Sequence, residues 1–450
     1  MLKKKKEFKI VMKSAKCKLE RNGFDLIETK RAFNEVVHFY FALINTYPEG
    51  INLPREEDGG WRYYEKLTVG DDAQYPFPFN GFPAQLRRCA IRKAIGAWES
   101  WNTSYQKWLN RPKKQKHHRP PVQPRVFNFS PSFDVGVCKN DDGHSIMLKI
   151  LVNGQWKWIK FQYFAPVISA DWVKGSPSVI VKGNAVTIVF PLEKYVRATG
   201  GIKTVMAQDS FRVLGVDMDL DRHIAICSVL EVDAKGKVFE VARHFIKQTS
   251  HTKRRKFQLG GIAQKMQQTG TVEKGFASTI WKNLHNREVE ASREYARRIV
   301  EFAKTWGCSI IAFEHLGNLK PIRGKYSRRS NQKRAYWLKS KIYQQVSSIA
   351  YQDYRILTTR VNPKDTSRLD PWGNEVWRSD NFPVTIFDFL NYQSGAIFVG
   401  TVNGYTSHSG LNAARNIGLK AILRYNTNLV FLSRKEGHTV HTGESLSQKG

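Results

Sequence analysis

Cysteine is scarce in this 450-residue chain, and the five present, Cys17, Cys89, Cys138, Cys227 and Cys308, include no CxxC pair. An odd number at scattered spacing excludes a disulfide framework and reads as reduced, mostly buried thiols. Long apolar runs are also missing. Without a stretch of about 18 apolar residues no bilayer-spanning helix is expected, and neither end carries a lipidation signature. The basic start MLKKKKEFKIVMK is followed by no apolar run or small-residue cleavage site, so it does not read as a secretory signal. A cytoplasmic protein without membrane contact is the expectation. Negative charge is the third shortage: Asp and Glu number 39 against 72 Lys and Arg, a formal charge of +33. Such a chain repels itself unless a polyanion neutralises it, and nucleic acid is the polyanion that fits.

What is present divides into three regions. Residues 7–20 (EFKIVMKSAKCKLE) partly alternate apolar and polar as a strand does, and FDLIETKRAFNEVVHFYFALINTY then takes helical spacing. Pro83 to Leu109 again reads as a helix, with Leu86, Cys89, Ala90, Ile91, Ile95, Trp98 and Trp101 at its apolar positions. The segment RPKKQKHHRPPVQPR at 111–125 is kept irregular by its prolines. From about 145 to 193 the runs SIMLKILV, QWKWIKFQYF, SVIVKG and AVTIVF predict strands, with NGQ turning a hairpin between the first two. The helices are therefore inserted within a β-rich unit. From Phe211 onward, FRVLGVDMDLDRHIAICSVLEV predicts a strand pair, a basic helical stretch follows, and CSIIAFEHL predicts another buried strand, which together describe an α/β sheet.

Asp217 closes the apolar run VLGVDMD and Glu314 closes SIIAFEHL. Two carboxylates at neighbouring strand ends can share a hard divalent ion such as Mg²⁺, which takes oxygen ligands and keeps several waters. A pair of such ions about 4 Å apart activates water and stabilises the leaving oxygen in phosphodiester cleavage. Two further blocks follow in order, Thr366 and Ser367 in RVNPKDTSRLDPWG and Asn412 to Ile417 in SGLNAARNIG. Asp219 and Asp221 alternate with Asp217, so a continued strand would turn all three to one face. The competing expectation is a solvated turn before HIAICSV. Asp380 and Asp388 are further carboxylates with no spacing to recommend them.

The ordered set GVDMD, FEHLGNLK, VNPKDTS and LNAARNI resembles the RuvC-like half of TnpB proteins and compact type V CRISPR effectors, over about residues 211–425. The resemblance implies an α/β multidomain chain with a β-rich wedge domain (1–26 and 140–208) that holds an inserted helical recognition lobe (27–139). A RuvC-like, RNase H-like domain (209–425) and a polar tail (426–450) follow. It implies catalytic and metal-binding roles for Asp217 and Glu314. Two departures accompany it. The family's third carboxylate stands two residues before the Asn of NAARNI, and here that position is Gly410, so an incomplete centre is expected, with weak Mg²⁺ binding at most and Asp219 as the substitute candidate. The family's zinc ribbon is built from two CxxC pairs, whereas residues 362–410 contain no cysteine and offer only His408. Structural zinc needs four closed ligands, so no zinc is expected, and any bound zinc would have to recruit outside residues such as His315. The loop is expected to be remodelled, packed through Trp372, Trp377 and Phe382.

Three basic runs predict phosphate-tracking surfaces: Lys113, Lys114, Lys116 and Arg119 in the first, Lys253, Arg254, Arg255 and Lys256 in the second, and Arg323, Lys325, Arg328 and Arg329 in the third. The resemblance implies guide RNA and target double-stranded DNA as partners, base pairing reading the sequence and the protein holding the heteroduplex by shape. Without cleavage the output is occupancy, for silencing or for recruiting transposition or regulatory proteins at the nucleoid. Two alternatives stand beside it: an active metal-dependent RNA-guided endonuclease, and a nonspecific nucleic-acid-binding protein of a mobile element.

Overall fold

A computed structural model describes residues 8–20, 26–54, 56, 59–112, 119–182, 185–219, 223–270, 273, 275–318, 322, 324, 327, 331, 338–377, 397–402, 406–425, 430–432 and 441–442. The chain is a mixed α/β protein of two compact units, Met1–Arg197 and Ala198–Gly450. None of the described helices is long and apolar enough to cross a membrane.

In the first unit the alternating segment forms β1 (Phe8–Leu19), and helices α1 (Ile27–Thr46), α2 (Trp61–Lys66) and α3 (Ala84–Leu109) follow before the chain returns to the same sheet. The returning strands are β2 (Cys138–Lys139), β3 (Ser145–Val152), β4 (Gln155–Phe164), β5 (Val173–Lys174), β6 (Ser178–Lys182) and β7 (Ala185–Arg197). The sheet order is β2-β3-β4-β1-β7-β5, with β6 also on β7. Strand β1 lies antiparallel along β7 from Phe8 opposite Arg197 to Lys18 opposite Thr187, so the first and last strands enclose the helices in sequence. The β3–β4 hairpin turns at Asn153 and Gly154, both at positive φ (51° and 74°), as a two-residue primed turn requires. Glu28 at the start of α1 accepts both turn N–H groups, and Thr29 Oγ1 accepts the N–H of Leu151. These bonds seat α1 on the hairpin. Phe33, Val36, Val37, Tyr40 and Ile44 of α1, Leu86, Ala90 and Ile91 of α3, and Ile146, Leu148 and Ile150 of β3 make one core.

The second unit holds α4 (Ile202–Met206), the meander β8 (Phe211–Asp217), β9 (His223–Val232) and β10 (Lys237–Lys247), helices α5 (His251–Thr269) and α6 (Ser278–Thr305), then β11 (Ile310–Glu314), α7 (Lys339–Tyr354) and β12 (Leu357–Val361). Their sheet runs β12-β11-β8-β9-β10, antiparallel within the meander and parallel from β8 through β11 to β12. This is the RNase H-like order. Helix α8 (Ser409–Leu423) covers one face through Ile417, Ala421 and Ile422 against Val213, Leu230 and Ile310. On the other face Ala296, Ile299 and Val300 of α6 and Ile342 and Val346 of α7 meet Leu214, Val216, Ile311 and Phe313. Burial on both faces explains why β8 and β11 read as continuous apolar runs rather than alternating ones. Two short segments of the tail, Val430–Leu432 and His441–Thr442, pair in parallel along the edge of β10.

Between β12 and α8 lies a small antiparallel sheet of β13 (Val376–Trp377), β14 (Ile397–Gly400) and β15 (Thr406–His408). Its entrance is organised by Asp370, which is 2% exposed. Asp370 Oδ1 accepts the N–H groups of Trp372 and Asn374, and Oδ2 accepts from Asn374 Nδ2. Trp372 lies at the surface, Trp377 is half-buried, and a carboxylate bonded to backbone N–H groups ties the turn; Phe382 lies outside the described residues.

Candidate functional site

Parallel pairing sets Val216 beside Phe313, so one step further Asp217 and Glu314 end adjacent strands at the same height. By strand parity both project to the face that α8 covers. Helix α8 approaches β8 as closely as backbones allow. A Cβ built on Gly215 would lie 2.0 Å from the Ala414 carbonyl oxygen and 2.8 Å from the Gly418 nitrogen. This contact, available only to glycine, brings the N-terminus of α8 down beside Asp217. A Cβ on Gly410 would lie 3.2 Å from Asp217 Oδ2, with Ile226 Cδ1 at 2.3 Å and His408 Cε1 at 3.4 Å. The position without a carboxylate therefore abuts the first carboxylate.

The polar blocks around Thr366 and Asn412–Asn416 act as ties within this centre. Thr366 donates its hydroxyl to Glu314 Oε1 and also lies 2.9 Å from the Pro363 carbonyl oxygen. Asn416 Nδ2 donates to the carbonyls of Thr366 (2.9 Å) and Leu369 (2.7 Å), and Asn412 Nδ2 to that of Leu369 (2.8 Å). One helical turn apart on α8, the two amides clamp the loop that carries Thr366. Arg415, between them, pairs at 2.5 Å with Glu240 of β10, and both side chains are almost wholly buried. Ser228 Oγ bonds the same Glu240 at 2.8 Å. The sequence offered no sign of Glu240, one acid among the basic residues Lys237, Arg243 and Lys247 of its strand; Arg415 lies inside the NAARNI block.

Burial raises the Glu314 pKa, opposed by the Thr366 hydrogen bond and by Lys420. Lys420 is itself lowered by burial, and its ammonium donates to the Lys364 carbonyl. His408 caps α8, its Nδ1 accepting the Gly410 N–H at 3.1 Å. Burial first, and then His223, lower its pKa, which suits a neutral ring accepting at Nδ1; Asp219 acts in the opposite sense. Asp219 lies beyond the end of β8, where its N–H bonds the Ile224 carbonyl at 3.3 Å, in register with the pairing of Asp217 and Ile226. Asp221, Asp380 and Asp388 lie outside the described residues. Among the described residues no group of three His, Cys, Asp or Glu side chains is disposed to hold a metal ion. Asp217 and Glu314 are hard oxygen donors that fit a divalent ion such as Mg²⁺, and Gly410 adds no further ligand.

The basic runs separate by environment. Arg119 and Arg254 are exposed, whereas Arg255 of α5 pairs with Glu288 of α6 at 2.6 Å, and Lys341 of α7 meets the same carboxylate at 2.5 Å. Glu288, 7% exposed, joins three helices, a role its place in a charged helix does not announce. Lys113, Lys114, Lys116, Arg323, Lys325, Arg328 and Arg329, and the side chains of Lys253 and Lys256, lie outside the described residues.

Residues 13–152 match the Aq_aa04 family. A TnpB-like protein of Aquifex aeolicus, aq_aa05, is 26% identical over 148 residues, 31% of this chain and 48% of that protein. The chain is similar to TnpB-like proteins. It spans about half the length of the curated relatives it matches. Beyond this TnpB-like match, a Cas12f1–sgRNA–target DNA complex aligns with 91% of this chain and 99% of that one, at 13% identity and a TM-score of 0.35. The Alicyclobacillus acidoterrestris C2c1 protein bound to single-guide RNA aligns with 86% of this chain and 65% of that one, at 11% identity and a TM-score of 0.44.

Proposed function

We propose that this chain is an RNA-guided binder of double-stranded DNA that does not cut its target. Similarity to a TnpB-like protein and the +33 charge support guide RNA and duplex DNA as its partners. The observation that carries the loss of cleavage is Gly410, whose Cβ position lies 3.2 Å from Asp217 Oδ2. In-line cleavage by two metal ions requires both the attacking and the leaving oxygen to be clamped. With Asp217 and Glu314 alone the second ion lacks a protein ligand, and binding proceeds without hydrolysis. The output is occupancy of a site, which silences it or recruits transposition or regulatory proteins.

The test begins with sequencing the RNA that purifies with the protein at moderate salt. A duplex matched to that RNA is then incubated with Mg²⁺ or Mn²⁺ and examined for both a shift and strand breaks. A shifted, intact duplex is expected. Guide-dependent cutting that Asp219→Ala abolishes would establish the active nuclease instead, and the lack of any discrete RNA would remove the guide.

A further inference from the structure

Strand β1 sends alternate residues to opposite sides of its sheet. Ala15, Cys17 and Leu19 point inward and join the core, whereas Phe8, Ile10 and Met12 project from the outer side. Register carries this outer face across the sheet. Ile10 lies opposite Tyr195 and Met12 opposite Glu193 of β7, and Glu193 is in turn opposite Val173 of β5. Residues paired in an antiparallel ladder share a face, so Phe8, Ile10, Met12, Val173 and Tyr195 are neighbours on three strands. Each is between 47% and 60% exposed. The inner side of the same stretch is closed by Trp172, over whose ring lie Lys13 Nζ at 3.9 Å and Lys194 Nζ at 5.8 Å.

Scattered apolar side chains are ordinary on a surface, but a contiguous apolar patch with a polar rim marks an interaction site. Here the rim is basic. On the same face Lys16 and Lys18 continue β1 beyond the patch and Arg197 stands opposite Phe8, all three exposed, with Glu193 as the acid among the described residues of this face. Charge and shape select the occupant. Ile10, Met12 and Val173 offer a base no ring to stack on and a phosphate no donor, so nucleic acid answers the rim without the patch. A second copy of the chain would set Lys16, Lys18 and Arg197 against their own counterparts. A helix with one apolar stripe and acidic flanks answers both patch and rim, and a helix laid on a sheet is the ordinary cover for such a face.

We propose that the outer face of β1, β7 and β5 docks an amphipathic helix of another protein, apolar along one stripe and acidic along its flanks. Phe8, Ile10 and Tyr195 anchor the stripe, and Lys16, Lys18 and Arg197 pair with the acids. The inference rests on the occupancy reading and deepens it, supplying the surface by which a bound chain recruits a partner.

Full-length protein, with the nucleic acid that purifies with it, is titrated with a fluorescein-labelled peptide of about 18 residues, long enough to hold a helix, built from leucine, alanine and glutamate with leucines at i, i+3, i+4 and i+7. A scrambled peptide of the same composition measures attraction by charge alone. The patterned peptide is expected to bind at least about tenfold more tightly, as anchoring in an apolar patch requires. Ile10→Thr with Tyr195→Thr keeps strand-forming residues at exposed positions and should erase that preference in a protein that still melts cooperatively. Lys16→Gln with Lys18→Gln should weaken the patterned peptide about threefold and flatten its salt dependence. Equal affinity for the two peptides, or a preference that survives Ile10→Thr with Tyr195→Thr, overturns the docking face. Binding of phosphatidylglycerol vesicles or of oligothymidylate that this pair of substitutions abolishes assigns the face to lipid or to nucleic acid and equally overturns it. The guided duplex shift is read separately. Its retention where the peptide preference is absent leaves the proposed function standing without the docking face, and its absence in a protein that prefers the patterned peptide removes the guided function and keeps the face.

Discussion

Gly410 concentrates the functional question in a single side chain. A carboxylate there meets two obstacles, the Ile226 methyl at 2.3 Å from its Cβ and the like charge of Asp217 at 3.2 Å. The first is the tip of a flexible side chain and is relieved by removing it; the second is relieved only by a cation. Gly410→Asp combined with Ile226→Val is therefore expected to lower Tm in metal-free buffer and to regain it with Mn²⁺, while the unaltered chain responds less to the ion. Thermal melts with and without Mn²⁺ read this directly, and equal metal responses would refute it. Glu314 offers a second residue-scale test. Burial raises its pKa, so the folded chain binds this proton more tightly than the unfolded one. The stabilisation is complete below the unfolded pKa and is lost as pH rises through the folded one. Glu314→Gln should thus stabilise the protein near pH 7 and make little difference near pH 4, as melts at the two pH values would reveal.

At the scale of elements, α8 is the part on which the site depends. Its amides hold the Thr366 loop, its N-terminus abuts Asp217, and its Arg415 reaches through to Glu240 on β10. Removing one member of a buried ion pair strands the other, so Glu240→Ala is expected to cost about 3–5 kcal/mol in a denaturation experiment. Gly215→Ala drives a methyl into the Ala414 carbonyl and should cost about 3 kcal/mol, since two backbones must separate. These contacts also show what the sequence made legible. The apolar runs of β8 and β11 announced buried strands, and their terminal carboxylates marked the candidate site, because period and polarity are local properties. Asn412 and Asn416 were visible as a motif, though not the carbonyls they bind. Glu240 and Glu288 were not visible, since a buried acid is distinguished from a solvated one only by partners far away in sequence. The Asp370 turn was missed for the same reason: a carboxylate there is recognised by the N–H groups that fold around it.

For the whole molecule, charge is the property that the partner must answer, and its distribution decides which cations do so. Arg254 and Arg119 are exposed, whereas Arg255 is spent on Glu288, where it joins α5 to α6. Replacing the entire run at 253–256 would therefore mix two effects, lost phosphate contacts and a loosened helix pair. Separate variants resolve them. Arg254→Ala with Arg119→Ala is expected to weaken binding of all duplexes alike and to reduce the slope of log K against log salt by about two, as two lost phosphate contacts require, with Tm unchanged. Arg255→Ala is expected to lower stability by about 1–3 kcal/mol, because among the described residues a largely buried carboxylate then keeps Lys341 alone, while the salt slope stays the same. Shift assays from low to moderate salt, paired with melts of each variant, provide both readouts. A steepened loss of slope in Arg255→Ala would place that side chain on the nucleic acid rather than between the helices, and an unchanged slope in the double variant would assign Arg254 and Arg119 to solvent.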